Sequence, residues 1–123
     1  MSDFFIVRDD GFHPDDGAEP IVLAPDTDPA TLADHLDQPL IAVDFPAFSD
    51  GRGFTLARLL REKGFSGRLR AVGSLIADQY AMARRVGFDE VRISAALAAR
   101  QPQDQWLYRA DWQEWDHRSR LAG

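Results

Sequence analysis

From Leu40 onward the chain alternates short apolar runs with helical repeats, and few folds accept that order. Leu40-Ile41-Ala42-Val43-Asp44 is a run of buried-strand type. The polar loop through Asp50-Gly51-Arg52-Gly53 follows it. Then Leu56, Leu59 and Leu60 recur at helical spacing among Arg58, Arg61 and Lys63, and Gly64 ends the segment, predicting a helix over about 54–63. The pattern repeats. Leu69 to Val72 reads as a strand after a turn at Gly67, and residues 75–86 as a helix with Ser74 as its N-cap and Gly87 as its stop. Glu90 to Ile93 is the next strand, and Ser94 caps a helix over 95–100. Strands and helices of these lengths in strict turn imply parallel pairing through right-handed crossovers. The fold class is therefore α/β, with a small sheet of about four mostly parallel strands and helices packed on it. The sheet is either open or curved like half of a barrel.

The flanks are less regular. Phe4 to Val7 reads as a short strand, Asp9-Asp10-Gly11 as a turn, and the acidic stretch through Pro20 as a loop punctuated by Pro14 and Gly17. Ile21 to Ala24 is a second strand candidate. Asp28-Pro29 is a helix-start signature, an aspartate to cap orphan amides and a proline at the first helical position. That helix would carry Leu32 and Leu36 and stop before Pro39. Beyond Pro102, Trp106, Leu107, Tyr108, Trp112 and Trp115 crowd together among charges. Either their rings fill the edge of the core or they form a surface for a partner. All 123 residues fit one domain, with an acidic segment over 1–20 and a tryptophan-rich tail over 103–123.

Composition limits the chemistry. There is no cysteine, which excludes a disulfide, a thiol nucleophile and thiolate ligation of zinc or an iron–sulfur cluster. No apolar run approaches the ~18 residues of a membrane span, and no basic region followed by a long apolar core opens the chain; both fit a soluble cytoplasmic protein. The net charge of −6 conceals an uneven distribution: residues 1–44 hold eleven acids against Arg8 alone, whereas residues 45–100 hold ten basic residues against five acids. The basic middle is either a set of solvated helix faces or an anion-attracting surface around Gly51-Arg52-Gly53. Overall acidity argues against non-specific nucleic-acid binding.

Parallel topology would bring the strand-to-helix loops to one edge of the sheet, where ligands of α/β proteins bind. Those loops carry Asp44, Asp50, Arg52, Ser74, Asp78, Gln79 and Ser94. Gly51, Arg52 and Gly53 at a helix start, with Ser74 and Gln79, are the candidates for holding an oxyanion, since backbone amides add to the guanidinium charge. Equally, the glycines make a tight turn and Arg52 pairs with Asp44, Asp50 or Asp78. Those three aspartates are the candidates for acid–base work. His13, His35 and His117 are scattered and form no triad or metal set, and the sequence has neither a dinucleotide fingerprint nor a P-loop.

The run from Leu40 to Gly64 through Asp50-Gly51-Arg52-Gly53, continued by Gly67-Arg68-Leu69-Arg70-Ala71-Val72-Gly73, Asp78-Gln79 and Arg84-Arg85-Val86-Gly87-Phe88-Asp89, resembles the bacterial domain-of-unknown-function family 934. The resemblance covers about residues 28–93. It carries over to Asp50, Gly51, Arg52, Gly53, Arg58, Arg70, Gly73, Asp78 and Gln79, and Ser74 stands where the family usually has aspartate. Members bear the label of an oxidoreductase of sulfite reduction and are typically encoded beside assimilatory sulfite reductase genes. The resemblance therefore implies an auxiliary role in sulfide production for cysteine synthesis, with sulfite reductase as a partner. It implies no cofactor and no catalytic residue. The rival readings from the residues are a small enzyme on a phosphorylated or carboxylated metabolite, with Arg52 holding the anion, and a non-catalytic structural subunit.

Overall fold

A computed structural model of the chain describes residues 3–112. Six strands, β1 (Phe4–Arg8), β2 (Gly11–Pro14), β3 (Ile21–Leu23), β4 (Leu40–Phe45), β5 (Arg68–Gly73) and β6 (Glu90–Ser94), form one open sheet in the order β2-β1-β6-β5-β4-β3. The strands β3 to β6 are parallel and in sequence, while β1 runs antiparallel to β6 and β2 antiparallel to β1. The helices α1 (Arg52–Glu62), α2 (Tyr80–Val86), α3 (Ala95–Arg100) and α4 (Gln103–Leu107) are joined by 3-10 turns at Pro29–His35 and Ala77–Gln79.

Each crossover from β3 to β6 steps one strand in the same direction. Right-handed connections of that kind place every helix on the same side. The packing agrees: Leu32, Leu56, Ala57, Leu60, Tyr80, Ala83, Leu97 and Trp106 all join one core with Ile41, Val43, Phe45, Leu69, Ala71, Val91 and Ile93. Those strand residues alternate with Ala42, Asp44, Arg68, Arg70, Val72, Glu90 and Arg92, which therefore face away from the helices.

What covers that second face is the acidic loop. The strands β2 and β3 lie at opposite edges, so residues 15–20 must cross the whole sheet, five spacings of about 4.8 Å. Seven Cα steps from Pro14 to Ile21 reach about 24 Å only when nearly extended. The segment is a strap. Asp15 takes Arg92 at 3.1 Å, and Asp16 takes Arg68 at 2.9 Å and Arg70 at 2.7 Å. Burial alone would push the Asp16 carboxyl up, but hydrogen bonds from Arg68, the Ala18 amide and Arg70 hold it far below the usual range. A good part of the charge imbalance between the two halves of the chain is thus neutralised within the molecule.

Three local expectations need correction. Gly11–Pro14, read as turn and loop, is an edge strand, because Phe12 stacks on Phe5 at 5.7 Å across the hairpin. Asp28 does cap its segment, accepting from the Ala30 amide at 3.0 Å, but only a 3-10 turn follows. Ser74 is not a helix cap: Gly73, at φ +117°, turns the chain so that the Ser74 amide donates to the Phe45 carbonyl, and helical structure begins only at Ala77. Ser94 caps α3 as the sequence indicates, accepting from the Leu97 amide at 3.1 Å.

Candidate functional site

The carboxyl ends of β4, β5 and β6 form the edge where site residues collect. At the end of β4, Asp50 and Arg52 form a local fork. The Arg52 Nε and Nη2 donate to the two Asp50 oxygens at 3.0 and 2.7 Å, and the Arg52 amide donates to the same carboxylate at 3.1 Å. Hydrogen bonds from the Arg52 side chain and amide keep the Asp50 carboxyl below its ordinary value, and the side-chain bond to Asp50 raises the Arg52 guanidinium. The Arg52 side chain remains 60% exposed, so the pair is a surface feature with free N–H groups left over.

The two flanking glycines differ. A Cβ on Gly51 would meet nothing within 4 Å among the described residues beyond its chain neighbours, and its backbone is ordinary. Gly53 is buried at the start of α1, and a Cβ there would sit 2.4 Å from the Phe45 ring. Its role in this structure is to let the helix approach β4. Gly53→Ala should therefore cost about 1–3 kcal/mol through overpacking, whereas Gly51→Ala should not; urea unfolding of both variants checks the contrast.

Gln79 ties two loops of the edge together. Its Oε1 accepts from the Ile76 amide at 3.1 Å, and its Nε2 donates to the Phe48 carbonyl at 2.6 Å. Asp78 lies apart, exposed and paired with Arg109 at 3.0 Å. Asp44 is half-buried and, among the described residues, has no hydrogen-bond or ion-pair partner. The edge thus brings Asp44 and Ser74 together in a cleft of about 320 Å³ with Phe4, Val72, Arg92 and Ser94. A second hollow of about 270 Å³ adjoins it, sharing Ser74 and Ser94 and adding Phe48 and Arg100. Arg52, Asp50, Gln79 and Asp78 line neither hollow.

Sequence reasoning missed Arg92 and Arg100. Arg92 sits in Val91-Arg92-Ile93, a strict alternation that marks it as the outward residue of a half-buried strand. That signal was present, but what the residue faces depends on the order of the sheet. Among the described residues, no three histidine or carboxylate side chains converge as a metal set.

A larger hollow, about 710 Å³, lies at the opposite edge, against Arg61, Arg84, Asp89 and Trp112. Its arginines are already committed. Arg61 donates to the carbonyls of Phe65, Gly67 and Gly87 and to Asp89, while Arg84 holds Asp9 and the Phe88 carbonyl and lies over the Trp112 ring. This arrangement staples the loops that precede the strands, so it ranks below the carboxyl edge as a site.

No helix among the described residues is long and apolar enough to cross a membrane. No curated protein and no solved structure matches the chain. A family model described as a bacterial protein of unknown function, DUF934, matches residues 20–116, from β3 through the last described helix. The chain belongs to that bacterial family.

Proposed function

We propose that this protein is a cytoplasmic auxiliary factor of assimilatory sulfite reduction whose carboxyl edge engages the reductase or a small oxyanion. The observation that carries the reading is the surface of the loop after β4. Phe48 is 57% exposed on a loop that Gln79 pins at its backbone, and the Asp50–Arg52 fork, its guanidinium exposed, begins two residues on. An aromatic held out to solvent beside arginine has the composition of a protein-contact anchor. The sulfite association itself comes from the resemblance of the Asp-Gly-Arg-Gly region to its family.

Two measurements test it. Sulfite reductase should be retained from a lysate by the wild-type chain and lost with Phe48→Ala, without a change in melting temperature. For the oxyanion, Asp50→Asn should tighten sulfite binding, because the carboxylate already occupies two guanidinium donors. Arg52→Lys should weaken binding, since lysine cannot present the planar fork, and Arg52→Ala should abolish it while the urea midpoint stays near wild type. Identical calorimetric traces for all four proteins would remove Arg52 as an anion ligand. The enzyme reading draws its support from Asp44 alone, a carboxylate in a cleft with no partner among the described residues.

A further inference from the structure

The cleft on the helix-free face has a geometry that can be read from the sheet register. Asp44 pairs in register with Val72, Val72 with Arg92, and Arg92 with Ile6. The carboxylate of Asp44 and the guanidinium of Arg92 therefore stand in one row on the same face, flanking Val72. Their backbones are two strand spacings apart, about 9–10 Å. One level further along the strands, Ser94 is in register with Phe4, and Ser74 follows the end of β5.

Opposite charges so placed would be expected to close on each other, yet they do not. Arg92 is drawn the other way: its Nη2 donates to Asp15 of the strap at 3.1 Å, and its guanidinium lies 3.7 Å from the centre of the Phe4 ring. Asp44 is left with no partner among the described residues. The Ser94 oxygen accepts from the Leu97 amide, which leaves its hydroxyl proton free to donate.

We propose that this cleft binds a small zwitterionic amino acid. Its ammonium group is received by Asp44, its carboxylate by the remaining donors of Arg92 and the Ser94 hydroxyl, and its carbon skeleton rests on Val72. The strap is part of the site, because Asp15 and the Phe4 ring fix the guanidinium at a distance from Asp44 that a two-ended ligand spans. A volume of about 320 Å³ accommodates a small amino acid with room for water. A ligand with only a carboxylate would leave Asp44 unanswered, and one with only an ammonium would leave the remaining donors of Arg92 unused, its charge being already met by Asp15. This site stands on the register and on a carboxylate unpaired among the described residues, and does not depend on the sulfite reading.

The probes are glycine, L-alanine, L-serine, L-threonine and L-cysteine, with propionate and ethylamine as singly charged controls, followed by melting temperature and calorimetry. At least one amino acid should raise the melting temperature, since it binds only the native state, and neither control should match it. Asp44→Asn, which removes no hydrogen bond or ion pair among the described residues, should weaken that binding about tenfold or more through loss of a charge-assisted hydrogen bond. Arg58→Ala, a charge change at an exposed position of α1, should leave it unaltered. No shift with any of the five, a shift equalled by a control, or a shift unchanged in Asp44→Asn would each overturn the assignment.

Discussion

Glu90→Ala should lower the unfolding free energy by about 3–5 kcal/mol, the cost of leaving a buried charge without its partner. Glu90 and Arg70 are each 1% exposed on the strapped face, with the Arg70 Nε donating to Glu90 at 2.5 Å. The same carboxylate receives Arg68 at 2.8 Å and Arg8 at 3.2 Å. Burial alone would push the Glu90 carboxyl up, but hydrogen bonds from Arg68 and Arg70 outweigh it and leave it below its ordinary value of 4.5. A depressed carboxylate gives a definite sign. Its contribution is complete above the unfolded value and disappears as pH falls through the lower folded value. Stability measured from neutral pH into acid should therefore decline less steeply in Glu90→Gln than in wild type. Replacing both partners, as in the pair Arg70→Met with Glu90→Leu, should restore much of what Glu90→Ala loses, because a well-packed apolar pair avoids the desolvation cost. A single substitution within about 1 kcal/mol of wild type would mean that Asp16 alone satisfies Arg70.

How much of this was legible before the structure divides along physical lines. The alternation of Leu40–Val43, Leu56–Leu60, Leu69–Val72 and Val91–Ile93 announces β4 to β6 and their helices, because burial on one or both faces writes a local period. The hairpin strand β2 leaves almost no period, since only Phe12 and His13 stand between a glycine and a proline. Partnerships across long separations write none at all. Asp9, Asp15 and Asp16 read as a solvated acidic stretch, yet Asp9 holds Arg84 and the Tyr80 hydroxyl, and the other two hold arginines of β5 and β6. Gly-Arg-Gly was legible as a loop motif. That Gly53 is there for Phe45 depends on how closely the helix sits on the strand. The cleft was half legible: Asp44 and Ser74 fall at strand ends, while Arg92 joins them only once β6 is known to neighbour β5.

Trp106→Ala should be about as costly as the loss of Glu90, about 3–5 kcal/mol for a fully buried indole. The tail question reduces to this residue. Trp106 is 1% exposed, its Nε1 donates to the Gln101 carbonyl at 2.9 Å, and its ring meets Tyr80 edge-on at 6.1 Å. Tyr80 in turn donates its hydroxyl to Asp9 at 2.6 Å, and the Phe12 amide donates to Gln103, so α4 is tied to the turn end of the β1–β2 hairpin, directly through Gln103 and indirectly through Tyr80. The indole thus closes the core where α4 packs beside β2 and the Ala77–Gln79 turn, and the area it buries offsets the weak helix-forming tendency of a five-residue segment. Trp112 differs: it is half-buried, lies under Arg84 at 4.7 Å and donates to Asp9 at 3.3 Å. Trp115 lies outside the described residues. Trp112→Ala should therefore cost clearly less than Trp106→Ala, and Trp106→Phe should recover part of the loss while leaving the Gln101 carbonyl without its donor. Urea unfolding of the three variants decides the matter. Equal and small losses at positions 106 and 112 would mean that α4 is an attached appendage, and that the core closes without it.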